Sequence, residues 1–147
     1  MLRLQSSAGA STRRAAASWV AIGALCALGL AMLPGWNERH FGQELFEGKV
    51  ALAARVDGVA EPLPAMAAAC SNCHGGPPDI GPTLQASSLT APQPRRGGPP
   101  SRYDLASFCQ TLRTGVDPAY VLLPKTMPRY ALGDGQCQAL WAHLTHI

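Results

Sequence analysis

Charge is thin along this chain. Only 14% of its residues are Asp, Glu, Lys or Arg, and Arg3, Arg13 and Arg14 account for the whole formal excess of +3. From Pro34 onward nine basic residues balance nine acidic ones. A neutral body has no basic stripe with which to follow a phosphate backbone, so no nucleic acid is expected as a partner. Internal repeats are missing too, as is any βαβ pattern. At 147 residues the chain has room for one compact domain plus a targeting segment. Fifteen glycines and thirteen prolines predict long loops between short helices.

What is present first is an apolar run. "AAASWVAIGALCALGLAML", Ala15 to Leu33, holds no charge over nineteen residues. As a helix it would span roughly 28 Å, close to the hydrocarbon core of a bilayer. Trp19 and Trp36 stand near its ends, where indoles favour the interface. The arginines precede it, so the positive-inside rule leaves residues 1–14 as a basic tail in the cytoplasm and exports everything after Pro34. The expected location is the cytoplasmic (inner) membrane, with the body on the periplasmic side. The alternative is a cleaved signal peptide with a small-residue site at Gly29-Leu30-Ala31 and a soluble periplasmic product. Cys26 reads as an ordinary residue of the apolar run.

Export bears on the other four cysteines, Cys70, Cys73, Cys109 and Cys137, because exposed thiol pairs seldom persist outside the cytoplasm. Residues 34–61 read as an N-terminal extension, with a short helix around Phe41, Leu45 and Phe46 followed by irregular chain. "AMAAAC" reads as a helix leading into Cys70, and 75–100 as loop, its second part exposed. In "YDLASFCQTLRTG" Asp104 is the expected cap, Leu105, Phe108, Cys109 and Leu112 share one face, and Gly115 is the stop. In "LGDGQCQALWAHL" Asp134 is the expected cap and Cys137, Leu140, Trp141 and Leu144 form the stripe. The predicted fold class is all-α, with apolar stripes too short to fill a core unaided.

"CSNCH", Cys70 to His74, occurs once. Cys-x-x-Cys-His is the attachment pattern for c-type haem. Two thiols one helical turn apart match the two vinyl groups of one porphyrin edge, and the adjacent imidazole can meet the iron. One covalent haem (heme c), held through Cys70 and Cys73, would supply the missing core. Three other uses of these residues stay open: a zinc site with a distant fourth ligand, a redox dithiol, and a structural disulfide.

With "IGPTL" and "LPKTMPRYALGDGQCQALWAHL" added to "CSNCH", residues 62–147 resemble a class I c-type cytochrome domain. The resemblance implies a small helical fold wrapped around haem, with His74 and Met127 as axial ligands and the Pro82 carbonyl holding the His74 ring. Met66 lies one turn before Cys70, and Met1 and Met32 belong to the leader. The alternative ligands to Met127 are His143 and His146; His40 has no expected iron role. Arg129 and Tyr130 are expected either at a haem propionate or on the surface, and Trp141 in the core. Members of the family often open with a Gly-x-x-x-aromatic helix close to the haem motif. Gly42 and Phe46 fit, yet Phe46 precedes Cys70 by 24 positions. Either an insertion intervenes or "AMAAAC" takes over the packing.

Cys109 and Cys137 lie on apolar helix faces in an oxidising compartment, which predicts a disulfide flanking the Met127 loop. The implied function is membrane-tethered transfer of single electrons between redox protein partners, such as a dehydrogenase, an oxidase or another cytochrome. A haem subunit bound permanently to such an enzyme is one alternative. A haem-based ligand sensor or peroxidase-like protein is another.

Overall fold

We describe the protein from a computed structural model that defines residues 34–75 and 81–146. The basic tail 1–14, the apolar run 15–33 with Cys26, and the small-residue site at 29–31 lie outside the described residues. Among the described residues no helix is long and apolar enough to cross a membrane.

The chain is mostly helical. Helix α1 runs Pro34–Phe46, α2 is the single turn Ser71–His74, α3 is Ala86–Thr90, α4 is Leu105–Thr114 and α5 is Asp134–Thr145. The exception to an all-α reading is a two-residue antiparallel ladder between β1 (Ala54–Arg55) and β2 (Arg129–Tyr130), in register Ala54↔Tyr130 and Arg55↔Arg129.

The expected extension 34–61 is part of the core. Leu45 is fully enclosed, and Leu52 and Ala54 are buried. The Gly42 backbone lies against the Ala139 carbonyl of α5, leaving no room for a β-carbon. One turn on, the Phe46 ring packs on His143 with centroids 5.5 Å apart. Gly42 and Phe46 therefore pack on α5 themselves, and residues 47–69 lead from α1 through β1 to the Cys70 turn. "AMAAAC" is not a continuous helix. It forms a 3-10 turn at Ala65–Ala68, becomes extended at Ala69, and re-enters helix at Ser71. Its packing residue is Ala68, at 1% exposure.

Helix α4 begins and ends as its sequence predicts. The Asp104 carboxylate accepts from the Ser107 N–H (2.8 Å), and the Ser107 hydroxyl oxygen accepts from the Asp104 N–H (3.0 Å). Gly115 closes the helix in the left-handed region at φ 75. Phe108, Cys109 and Leu112 are buried, whereas Leu105, in the first turn, is exposed. Helix α5 starts differently from expectation. Gly133 is the cap residue, its N–H donating to Gln136 Oε1 at 3.1 Å. The Asp134 carboxylate instead takes Arg113 Nη2 at 2.7 Å. Cys137, Leu140 and Leu144 are buried as the stripe predicts. Trp141 is half-buried on Phe108, ring centroids 5.3 Å apart.

Cys109 and Cys137 form a disulfide between α4 and α5, with Cα atoms 5.8 Å apart. Part of the stretch 75–100, expected as loop, has structure of its own. Helix α3 buries Leu89, and Gln93 pairs with Ser101 in an antiparallel bridge. The Gln93 side chain also donates to the Ser88 carbonyl. The small side chains around Leu89 carry too little periodicity to reveal this helix in the sequence.

Candidate functional site

Helices α2, α4 and α5 and the segments 81–96 and 123–127 enclose a cavity of about 610 Å³. Cys70, Cys73, His74, Pro82 and Met127 all line it. Its apolar wall includes Phe108 and Leu112 from α4 and Leu140 and Leu144 from α5. The two helical stripes thus face an internal space as well as each other.

A single turn places three chemical groups together. Cys70 and Cys73 are free thiols at either end of one turn, and His74 directly follows. His74 Nδ1 lies 2.8 Å from the Pro82 carbonyl oxygen. A carbonyl only accepts, so Nδ1 carries the proton and Nε2 keeps its lone pair for a metal. Gly81 makes this contact possible. A β-carbon there would stand 2.5 Å from His74 Nδ1 and 2.8 Å from the Cys73 carbonyl, and the Gly81 N–H donates to that same carbonyl at 2.8 Å. Its requirement for glycine was not recognised in "IGPTL", because only a docked imidazole reveals it.

Burial pushes the Cys70 thiol up to about 11, opposed by contact with the Tyr130 hydroxyl. Cys70 and Cys73 are not bonded to each other. Among the described residues no cluster of three or more His, Cys, Asp or Glu side chains is placed to hold a metal ion. The same cavity is also bordered by an imidazole, from His74, and a thioether, from Met127.

The other candidate ligands are elsewhere. His143 packs on Phe46, half-buried, and burial lowers its pKa. His146 is exposed, and His40 pairs with Glu44 at 3.6 Å. Neither His143 nor His146 lines the cavity. Met66 is 88% exposed.

Arg129 and Tyr130 both reach backbone carbonyls. Arg129 Nη1 donates to the Met127 carbonyl (2.5 Å) and Nη2 to that of Leu123 (3.2 Å), bracing the loop that carries Met127. Tyr130 is buried, its hydroxyl donating to the Ala68 carbonyl at 3.1 Å. A smaller hollow of about 150 Å³ lies between Val56 and Leu63 and the Met127–Tyr130 segment, and shares Cys70, Cys73, His74 and Met127 with the main cavity.

Comparison of the whole chain with family models, curated proteins and solved structures found no match.

Proposed function

We propose that this protein is a single-haem c-type cytochrome that carries single electrons between redox protein partners. One observation carries the reading. The Cys-x-x-Cys-His turn, an imidazole fixed in the metal-binding tautomer, and a methionine thioether all border one largely apolar cavity. Cys70 and Cys73 would hold the cofactor as thioethers, with His74 Nε2 and Met127 Sδ as the donors to iron. The bound group would supply a reversible one-electron couple at iron.

The chain's own part is to position and to exclude. Pro82 and Gly81 set the plane of His74; Phe108, Leu112, Leu140 and Leu144 keep water from the site. Arg129 holds the Met127 loop by two charge-assisted hydrogen bonds. A braced sixth ligand favours electron transfer over a ligand sensor or peroxidase, which needs an iron position that opens. A neutral thioether also favours the ferrous state relative to a second imidazole.

The run 15–33 supports a membrane-tethered form with the haem domain on the periplasmic side. The disulfide between Cys109 and Cys137 agrees with an oxidising compartment.

The test is potentiometry and far-red absorption of the full chain matured with haem-attachment machinery, beside Met127→Ala. The expected outcome is a one-electron transition in the parent, and in the variant a lower potential with loss of the absorption band of methionine-ligated ferric haem. Identical potentials and spectra would contradict the ligand assignment.

A further inference from the structure

An ion pair joins the two walls of the main cavity. Residues 93–96 line one side, and Leu123 and Met127 line the other. Arg96 also keeps 31% of its side chain exposed, which places it at the rim. From there its Nη1 lies 3.2 Å from Oδ2 of Asp117, in the segment that runs on into Leu123. The Asp117 side chain has 0% exposure. Its other oxygen, Oδ1, accepts from the N–H groups of Ala119 and Val121, both at 2.9 Å. One carboxylate thus folds its own loop with one oxygen and holds the opposite wall with the other. The turn after Arg96 lies against the same loop. A β-carbon built on Gly98 would stand 3.0 Å from Val121 Cγ2 and 3.1 Å from Ala119 Cβ.

Backbone strain marks this junction from both sides. Among the described residues, two other than glycine have positive φ: Arg96 at 46 and Tyr120 at 61. Both bond directly to Asp117, Arg96 through its guanidinium and Tyr120 through its N–H, which donates to the Asp117 carbonyl at 2.9 Å. Packing does not compel the Tyr120 conformation, because its side chain is 88% exposed. A bulky residue at positive φ is strained, and such strain persists only where surrounding contacts hold it.

We propose that the Arg96–Asp117 pair is a releasable clasp. When it parts, the strained turns at Arg96 and Tyr120 relax, the two walls separate, and the Met127 side of the cavity opens to small molecules from solvent. The inference goes beyond electron carriage, and only its ligand-entry readout rests on the haem reading. Two opposed effects set the balance. Strain in the closed form favours release, whereas parting would leave the buried Asp117 carboxylate without its counter-charge, which is strongly unfavourable. The closed form therefore dominates, and the open one is reached as a minor state.

The experiment uses the full matured chain with two readouts: hydrogen exchange at the Ala119 and Val121 N–H groups, and the rate at which added imidazole reaches ferric haem. Arg96→Gln removes the cation, and both rates should rise about tenfold. Tyr120→Gly relieves strain in the closed form, since glycine takes positive φ without steric conflict, and both rates should fall. Arg113→Gln breaks a different Arg–Asp pair, with Asp134, whose side chain is 98% exposed, and should change neither. Unchanged rates in Arg96→Gln would overturn the clasp, as would a rise in Tyr120→Gly or an equal rise in Arg113→Gln. Should Arg96→Gln not mature, Asp117→Asn decides by imidazole entry, faster for the clasp and unchanged against it. A parent chain that takes up no haem would instead overturn the functional reading, and exchange at the two amides would still decide the clasp.

Discussion

Arg129 fills the space that a side chain on Gly115 would occupy: a β-carbon built there would collide with its guanidinium. Gly115 also adopts φ 75, the left-handed conformation that closes α4, and its carbonyl accepts from the Leu123 N–H at 2.7 Å. The end of α4, the loop 123–127 and β2 are joined through this one contact. Its consequence is a held Met127. Each charge-assisted hydrogen bond is worth roughly 1.5–3 kcal/mol, so Arg129→Leu should ease displacement of the methionine. In the matured protein, added imidazole should bind about tenfold more tightly, equal to about 1.4 kcal/mol, as read by Soret titration. Unchanged affinity would mean that the bracing has no bearing on the iron.

The disulfide should contribute mainly by limiting the unfolded chain. Cys109 and Cys137 are 28 positions apart, and a loop of this size corresponds to about 3–4 kcal/mol in the chain-entropy description. Cys109→Ala with Cys137→Ala should lower unfolding stability by that order in urea titrations. A loss below about 1 kcal/mol would show that the folded helices hold the Met127 loop without it.

Gly81 should not tolerate a methyl group. Its β-carbon would press on the His74 ring and the Cys73 carbonyl, so Gly81→Ala should cost about 1–3 kcal/mol, typical of overpacking, and reduce the yield of haem-attached protein. Gly135→Ala is the control, because its β-carbon would meet nothing within 4 Å. Equal behaviour of the two variants would remove Gly81 from the account of how His74 is held.

The cap of α4 gives a pH dependence of known sign. Hydrogen bonds from the Ser107 hydroxyl and then its N–H hold the Asp104 carboxyl below its ordinary value of 3.8. A folded value below the unfolded one means that the contribution is fully present above pH 3.8 and fades as pH falls through the folded value. Asp104→Ala should remove about 1 kcal/mol at neutral pH, and progressively less on acidification through that window. A difference that stays constant from neutral to strongly acidic pH would exclude the cap as its origin.

How much of this could be read in the sequence depends on how local each feature is. The stripes of α4 and α5, the Asp104 cap and the Gly115 stop are local patterns, and apart from the exposed Leu105 each lies where its spacing places it. Cys70, Cys73 and His74 are equally local, being one turn of chain. The Asp134 cap failed because Arg113, 21 positions away, competes for its carboxylate. The place of residues 47–61 in the core was not legible because a two-residue ladder with β2 leaves almost no periodicity to detect. Arg96 was missed and Arg129 left open for one shared reason. What decides the role of each is which groups it reaches across the fold.

The most direct test of the central claim is whether pigment stays with the polypeptide. The full chain, produced with haem-attachment machinery, is extracted with acidified acetone and then examined as a pyridine haemochrome, beside the Cys70→Ala, Cys73→Ala double variant. The account predicts that colour remains with the parent protein, with the spectrum of a haem bearing two thioethers, and that the variant loses it. A colourless parent, or one whose pigment leaves with the solvent, would contradict it.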